Sequence, residues 1–425
     1  MTVSIVVRAI ETDAERERKF YLSEIAFSTN PSPENVTFWQ NYVTTLPNYR
    51  PEQIRAAFKG DLQVGGCDIY ERVMHMGEAR LATGCIGSVN TDPEQRHQGI
   101  ASALMRDAIA YAREKRYAFL MLDGIPKFYY RFGYTDIFDA TMQDVDRLAI
   151  LAQQPSSYTI REATIEDAQS ILDLYKEQQY SYTASFTRTL EIQQHALQNR
   201  MANTAHLLAC DASGKVHGFL SLGKEADIHA SELLADDWQA TLALLQYHAK
   251  QFAENDAPAT LRYLLPDNHP ITYQLIEHLQ IPDTSNVGGP NTFGSVLSQS
   301  YHHRHTGWMA RIIDLPAVVE GTLPEWQARW RRSLAHWSGV LRFVIDGEPF
   351  ALIIDGTQIS IGEPVEQRGH ILHFSQQAFT QLLFGYRPIT WFLQENETKV
   401  SPDALAALSI LFPINHTFIT RSDYF

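Results

Sequence analysis

Two stretches of this chain open with the same alternation of apolar and polar positions. Ser4–Ile10 carries the β-branched run Ile5-Val6-Val7 and reads as a strand. Thr12 and Glu15 have the spacing of a capping box, and Phe20, Leu22, Ile25 and Ala26 then recur at helical intervals. Far downstream, Thr159–Ala163 is again strand-like and leads to Thr164, with an acid, Asp167, at the third position. Val7-Arg8-Ala9-Ile10 and Ile160-Arg161-Glu162-Ala163 form a weak internal repeat, so the second region is expected to be a second copy of the first fold.

Within the first copy, residues 29–51 are rich in Pro and Asn and read mostly as loop. Strands are expected between Asp61 and Val89, broken at Gly65-Gly66 and at Met76-Gly77-Glu78. Ala82–Val89 has the character of a central strand, but Gly84 and Gly87 inside it suggest a bulge or a close backbone approach. Pro93 ends the pairing; from Ile100 an amphipathic helix presents Ile100, Ala101, Leu104, Met105, Ala108 and Tyr111 on one face, and Phe119–Leu122 follows as a short buried strand. After a loop over Leu151–Tyr158, the second copy predicts a hairpin at Leu207–Leu222 turning at Ser213-Gly214, then a helix over Asp237–Asn255. A loop-like stretch with Gly288-Gly289-Pro290 covers 282–306. Beyond it, Leu341–Ile345 and Phe350–Ile354 flank Asp346-Gly347, and another strand follows Asp355-Gly356, which predicts an antiparallel meander. Helices capped by Ser375 and Ser401 close the chain. The expected fold class is mixed α+β, in three domains: 1–155, 156–300 and 301–425.

Composition narrows the function. The 425 residues hold 35 basic against 49 acidic side chains, a net charge of −14, which disfavours nucleic acid or an anionic membrane as partner and suits a cationic substrate. The three cysteines, Cys67, Cys85 and Cys210, are odd in number and far apart, so neither a disulfide framework nor a zinc knuckle is expected. The N-terminus lacks the pattern of a signal peptide, and no apolar run reaches membrane-spanning length, so the expected location is cytoplasmic. The tract Tyr301-His302-His303-Arg304-His305 has no neighbouring carboxylate, and no metal is expected.

The sharpest chemical signal is Arg96-His97-Gln98-Gly99-Ile100-Ala101, an Arg-x-x-Gly-x-Ala run between a strand and a helix. Successive amides there form an anion-binding concavity; Gly99 lets a phosphate approach the backbone, and Arg96 and the helix dipole add positive potential. A bulge in the preceding strand would free backbone hydrogen bonds over Gly87–Thr91 for a pantetheine arm, and the Val89 amide could then hold a developing oxyanion. The alternative is that Gly84 and Gly87 merely permit packing under an aromatic ring. In Phe128-Tyr129-Tyr130-Arg131-Phe132-Gly133-Tyr134 a phenol could protonate a departing thiolate, but the residues alone do not say whether Tyr129 or Tyr130 faces the site. The second copy has Leu233-Leu234-Ala235-Asp236-Asp237 ahead of its helix, with two carboxylates and no glycine; these would repel a phosphate, so that copy is expected to be structural.

Strand, Arg-x-x-Gly-x-Ala, helix, strand and Phe-Tyr-x-x-x-Gly-Tyr together resemble the acetyl-CoA site of the GNAT acetyltransferase superfamily. Trp308–Leu315 and the ending Asp423-Tyr424-Phe425 are similar to the enhanced intracellular survival (Eis-like) acetyltransferases. That resemblance covers essentially the full chain and implies tandem GNAT folds, the second degenerate, followed by a sterol-carrier-protein-like α+β domain. It implies acetyl-CoA contacts at Val89, Asn90, Thr91, at Arg96 and His97, Gln98, Gly99, Ile100, Ala101, Ser102, and near Gly124 and Ile125. It makes Tyr129 the general acid and the Phe425 α-carboxylate the general base. It also implies transfer to primary amines (polyamine, aminoglycoside or lysine-type acceptors) and a homo-hexamer. His97 and Gln98 stand where the family often has arginine, Gly124 where some members have serine, and Tyr424 where some have an acid. A non-catalytic acyl-CoA or lipid sensor on the same fold is the alternative; it would need the Arg96–Ala101 loop but neither Tyr129 nor a free terminal Phe425.

Overall fold

The computed structural model describes residues 4–125, 127–199, 204–223, 227–252, 257–279, 298–303, 307–362 and 370–425. The Gly288-Gly289-Pro290 stretch lies outside them, as do Arg304, His305 and the side chains of the other histidine-tract residues.

The first sheet begins with strands β1 (Ile5–Ala9), β2 (Ile54–Lys59), β3 (Leu62–Met76), β4 (Ala79–Thr91) and β5 (Phe119–Asp123), with the short β6 (Thr135–Asp136) at its far edge. The first four pair antiparallel in sequence order, and β5 joins β4 in parallel across helix α3 (Ile100–Glu114). Helices α1 (Asp13–Phe27) and α2 (Pro33–Thr44) lie between β1 and β2. The second helix corrects the loop expected over 29–51: Ser32 caps it by accepting the Asn35 N–H at 3.1 Å, and Pro33 sits at the first helical position, where its missing N–H costs nothing. Another correction concerns Gly65-Gly66, through which β3 runs unbroken. A Cβ on Gly65 would lie 2.6 Å from the Asn90 carbonyl oxygen, so these glycines serve close approach within the sheet.

Strands β7 (Ala140–Asp146), β8 (Thr159–Glu162), β9 (Thr204–Cys210), β10 (Val216–Gly223), β11 (His229–Ala235), β12 (Thr260–Leu264) and β13 (Ser298–His303) form the second sheet. From β8 to β12 it repeats the first: three antiparallel pairings, then a parallel one across the helix Trp238–Ala249. The repeat extends to side chains. Arg8 grips Glu15 through two hydrogen bonds of 3.0 and 2.6 Å, and Arg161 grips Asp167 through two of 2.7 and 2.6 Å. These bridges tie the first strand of each copy to the helical segment that follows. They hold the Glu15 and Asp167 carboxyls each down to about 2.

The copies also exchange a strand. β7 precedes residue 155 yet pairs with β12 and β13 in the second sheet, while β14 (Trp308–Ile312), beyond residue 301, inserts between β5 and β6 of the first. The chain thus leaves the first sheet and returns to it after completing the second.

The third sheet holds β15 (Gly339–Ile345), β16 (Glu348–Asp355), β17 (Gln358–Gly362) and β18 (His370–Phe374). The expected meander is present in β15–β17, and Asp346 and Gly347 both have positive φ, 48° and 93°, as a tight right-twisted hairpin requires. The helix Leu315–Ser333 packs over β4, and buried residues of the first sheet (Met74, Cys85, Phe119, Met121) share one core with Phe343, Phe379 and Leu382 of the third domain. A shared apolar core makes the third domain a rigid continuation of the first.

Candidate functional site

The site is built where β4 leaves β5. Their parallel pairing ends at Ile86 opposite Leu122. On the other side of β4, Asp68 pairs with Gly87 and Gly66 with Asn90, so Ser88 and Val89 together oppose Cys67. This is a β-bulge, and Ser88 has the positive φ, 55°, that such a kink demands. Beyond Ile86 the strand therefore has a face with no partner in β5. Val89 is half-exposed there; Asn90 is buried and gives its amide N–H groups to Ser23 Oγ at 3.0 Å and to the Ser88 carbonyl at 2.9 Å. Its Oδ1 is buried with no hydrogen-bond partner among the described residues. Both glycines lie against an aromatic ring, Gly84 against Tyr117 and Gly87 against Tyr70, whose Cε2 is 3.0 Å from the place of a Gly87 Cβ. A Cβ on Gly84 would meet the Leu120 and Tyr117 side chains, which is packing. A Cβ on Gly87 would lie 2.7 Å from the carboxyl carbon of Phe425.

Thr91 ends β4, and a single 3-10 turn over Pro93–Gln95 leads to the exposed residues Arg96, His97 and Gln98. His97 has φ 63° and Gly99 φ 84°, and Gly99 is the N-cap of α3. The cap has no side-chain hydrogen bond, the first turn holds no acidic residue, and nothing lies within 4 Å of the space a Gly99 Cβ would fill. The first N–H groups of α3 are therefore open to an anion. Ile100 is buried behind them, and Ala101 and Ser102 are half-exposed. The cradle fits a pyrophosphate.

The geometry separates Tyr129 from Tyr130. The Tyr130 phenol donates to Asp136 Oδ2 at 2.8 Å. Tyr129 is buried against Gly124, whose missing Cβ makes room for the ring, with Tyr134 and Phe128 edge-on at 6.1 and 4.8 Å. Burial pushes the Tyr129 phenol up to about 12, so it is protonated at neutral pH. Ile125, next to Gly124 at the end of β5, is exposed.

The least foreseeable element is the tail. It is tied first to the second domain, where the Phe418 N–H donates to the Thr183 carbonyl at 2.9 Å and Thr420 Oγ1 to the Ser231 carbonyl at 3.3 Å. Asp423 is buried and accepts Tyr175 Oη at 2.8 Å and Arg188 Nε at 2.9 Å; Arg188, buried too, also donates to Glu232 Oε1 at 2.9 Å. Past this clamp the chain crosses to the first domain. The Phe425 ring packs among Trp308, Phe186 and Tyr70 at 5.3, 6.2 and 6.5 Å, and its carboxyl reaches Gly87. Trp308 also meets Tyr424 at 4.9 Å and pairs with Asp123 at the end of β5. Terminus, bulge and the end of β5 thus converge. Sequence reasoning had no access to Arg188, Tyr175 or Glu232: they lie far from Asp423 in the chain and show no motif.

Opposite the bulge, Asp68 pairs with buried Lys19 of α1, and burial pushes its carboxyl up despite that partner. Among the described residues one group, His217, Asp236 and Asp237, brings three possible metal ligands together. It sits at the N-terminus of the Trp238–Ala249 helix, where Asp237 already accepts the Ala240 N–H at 2.8 Å and Tyr158 Oη at 2.7 Å.

Residues 7–137 match the family model described as an acetyltransferase (GNAT) domain, so the first domain is an acetyltransferase domain. Solved structures resemble the whole chain. A GCN5-related N-acetyltransferase from Kribbella flavida is 18% identical with a TM-score of 0.70, covering 100% of this chain and 99% of its own. A GCN5-related N-acetyltransferase from Anabaena variabilis is 14% identical with a TM-score of 0.70, covering 99% and 100%. Eis1 from Mycobacterium abscessus is 14% identical with a TM-score of 0.61, also covering 99% and 100%. Identities this low speak for the fold. No curated protein matches the sequence. The chain is an acetyltransferase, and among its described residues no helix is long and apolar enough to cross a membrane.

Proposed function

We propose that this acetyltransferase is an Eis-like enzyme that uses acetyl-CoA to acetylate a primary amine by direct transfer within a ternary complex. The observation that carries this reading is the Phe425 carboxyl, set against Gly87 beside the bulge of β4. A carboxylate held there is placed to take the proton of an attacking ammonium. The third domain, read as sterol-carrier-like, then serves to deliver the end of the chain.

Bound acetyl-CoA supplies the acetyl group as a thioester. The open amides from His97 to Ser102 hold its pyrophosphate, Arg96 adds charge, and Asn90 and Thr91 with the unpaired edge of β4 align the pantetheine arm. Gly124 and Ile125 border the same slot. The Val89 N–H faces the negative charge that develops on the thioester oxygen. Tyr129, protonated at neutral pH, gives its proton to the departing thiolate. The acidic balance of the chain favours a cationic acceptor.

The test is Tyr129→Phe, which keeps the ring that packs on Gly124 and removes the proton. Turnover should fall about 100-fold or more while the acetyl-CoA dissociation constant stays within about twofold. An unchanged kcat would remove Tyr129 from the mechanism.

A further inference from the structure

A base that takes a proton at each turnover must also shed it, and the Phe425 side chain is walled by Trp308, Phe186 and Tyr70. Beside its carboxyl lies a buried ion pair that the reaction above leaves unused. Lys19 is fully buried and donates to Asp68 Oδ2; its stem fits over Gly66, where a Cβ would lie 3.0 Å from Lys19 Cγ. Asp68 stands directly opposite Gly87 in the β3–β4 pairing, and directly opposed residues share a sheet face. The Phe425 carboxyl carbon, 2.7 Å from the place of a Gly87 Cβ, thus takes the position of a side chain facing Asp68. Tyr70 joins the two. Its Cε2, next to the carbon that bears the hydroxyl, is 3.0 Å from that same place, and the hydroxyl donates to Asp68 Oδ2 at 3.5 Å. Hydrogen bonds that carry protons are often this long until substrate binds. Burial raises the Tyr70 phenol well above its ordinary value, and it raises the Asp68 carboxyl despite Lys19. On the far side of Asp68 is a cavity of about 10 Å3, lined by Tyr49, Gln53, Asp68, Tyr70 and Glu71 among others. Two buried atoms of these residues, the acceptor Asp68 Oδ1 and the donor Gln53 Nε2, have no hydrogen-bond partner among the described residues. The Tyr49 hydroxyl is buried there too, near Arg16. Asn48, also in the lining, is exposed, so the cavity lies just below the surface.

We infer that Tyr70 and Asp68, with a water held in this cavity, form the route by which the Phe425 carboxyl returns its proton to solvent. The inference rests on the reading of Phe425 as the base. The cavity has room for one water, which would accept from Gln53 Nε2, donate to Asp68 Oδ1 and have the Tyr49 hydroxyl as a third partner. The amine nitrogen gives a proton to a Phe425 oxygen as its lone pair attacks the thioester. The carboxylic acid so formed passes that proton to Tyr70 Oη while the phenol passes its own to Asp68. The neutral Asp68 carboxyl then gives a proton up to the water, which hands one on towards Tyr49 and the surface. One proton leaves, and Phe425, Tyr70 and Asp68 end as they began. Lys19 holds Asp68 in place and offsets its charge between turnovers.

Coenzyme A release by the full-length protein, measured in water and in deuterium oxide, tests the route with whichever of spermidine, kanamycin and a lysine peptide is acetylated fastest. Tyr70→Phe keeps the ring at Gly87 and removes the hydroxyl. Lys19→Met/Asp68→Asn removes the carboxylate without leaving a buried amine unpaired. Each should lower kcat about tenfold or more, with the acetyl-CoA KM within about twofold of the wild type. Each should also raise the solvent isotope effect on kcat, because proton release becomes the slow step, and added imidazole should restore part of the rate. A packing defect would do neither. An unchanged kcat, or a loss of kcat with the isotope effect and imidazole response of the wild type, overturns the inference. A protein carrying two alanines beyond Phe425 separates the route from the base. If that extension loses turnover while both variants keep theirs, Phe425 stands as the base and the route is wrong. If the extended protein keeps full turnover, or if none of the three amines releases coenzyme A from the wild type, the base and the route fall together.

Discussion

The two copies of the fold begin their crossover helices in opposite ways. In the first, α3 starts at Gly99 with no side-chain cap and no acid in its first turn. In the second, the helix Trp238–Ala249 starts at Asp237, which accepts the Ala240 N–H, with Asp236 bound to His217 Nδ1 at 2.9 Å beside it. The first leaves a positive helix end for an anion; the second satisfies the same end from within the chain. The strands ahead of these helices differ in the same sense. Both β4 and β11 part from their parallel neighbour, after Ile86 and after Ala230. Both strands are bulged past that point, β4 at Ser88–Val89 and β11 at Ser231, so the copies differ in what meets the unpaired part. That of β11 is taken by the protein's own tail, through Thr420 on Ser231 and Asp423 on Arg188–Glu232. Under the proposed function the first slot serves a ligand; the second anchors the tail, and the anchored tail ends beside the first.

The largest expected effect comes from breaking the anchor. Arg188→Ala leaves Asp423 and Glu232 buried without their counter-charge, which should cost about 3–5 kcal/mol of stability and release the tail. Denaturant unfolding and turnover should both register the loss, and a variant with wild-type turnover would detach the clamp from function. Exchanging the helix starts is the next test. Gly99→Asp places in the first copy the carboxylate that closes the second, and should raise the acetyl-CoA KM about tenfold or more, with a small stability cost from its left-handed backbone. Asp237→Ala should cost about 1 kcal/mol as a lost cap and leave donor kinetics alone. An equal kinetic effect of both substitutions would erase the contrast.

The smallest effect concerns what the copies share. Arg161 holds the Asp167 carboxyl, and Arg8 holds that of Glu15, down to about 2. A carboxyl lowered in the folded state stabilises it at any pH above its ordinary value near 4. That contribution is lost as pH falls through about 2. The stability difference between wild type and Asp167→Asn should therefore be flat near neutrality and shrink as the pH drops from about 4 to about 2. A difference that grows on acidification would contradict the bridge.

The repeat was legible because its Arg and acid sit at nearly equal local spacing, and α3 because its apolar stripe and the glycine ahead of it are contiguous. The Pro33–Thr44 helix was hidden by composition: its Pro and Asn residues resemble a loop until Ser32 is seen to cap it. The exchange of β7 and β14 was not legible, since a strand's residues show that it will be buried but not in which sheet. Nor was the clamp, which joins Arg188 and Asp423 across 235 residues of chain. Of the candidate site, the cofactor loop could be read from residue types. Residue types did not show that Asp136 engages the Tyr130 phenol while the Tyr129 ring packs on Gly124. The place of Phe425 rested on family resemblance until Gly87 was found beneath its carboxyl.

The central claim is that the end of the chain completes the site of the first domain. Extending the protein by two alanines beyond Phe425 tests it most directly, because every side chain is kept and only the position of the carboxylate changes. Turnover should fall about 100-fold or more, with acetyl-CoA affinity and thermal midpoint close to those of the wild type. Full turnover by the extended protein would contradict the account.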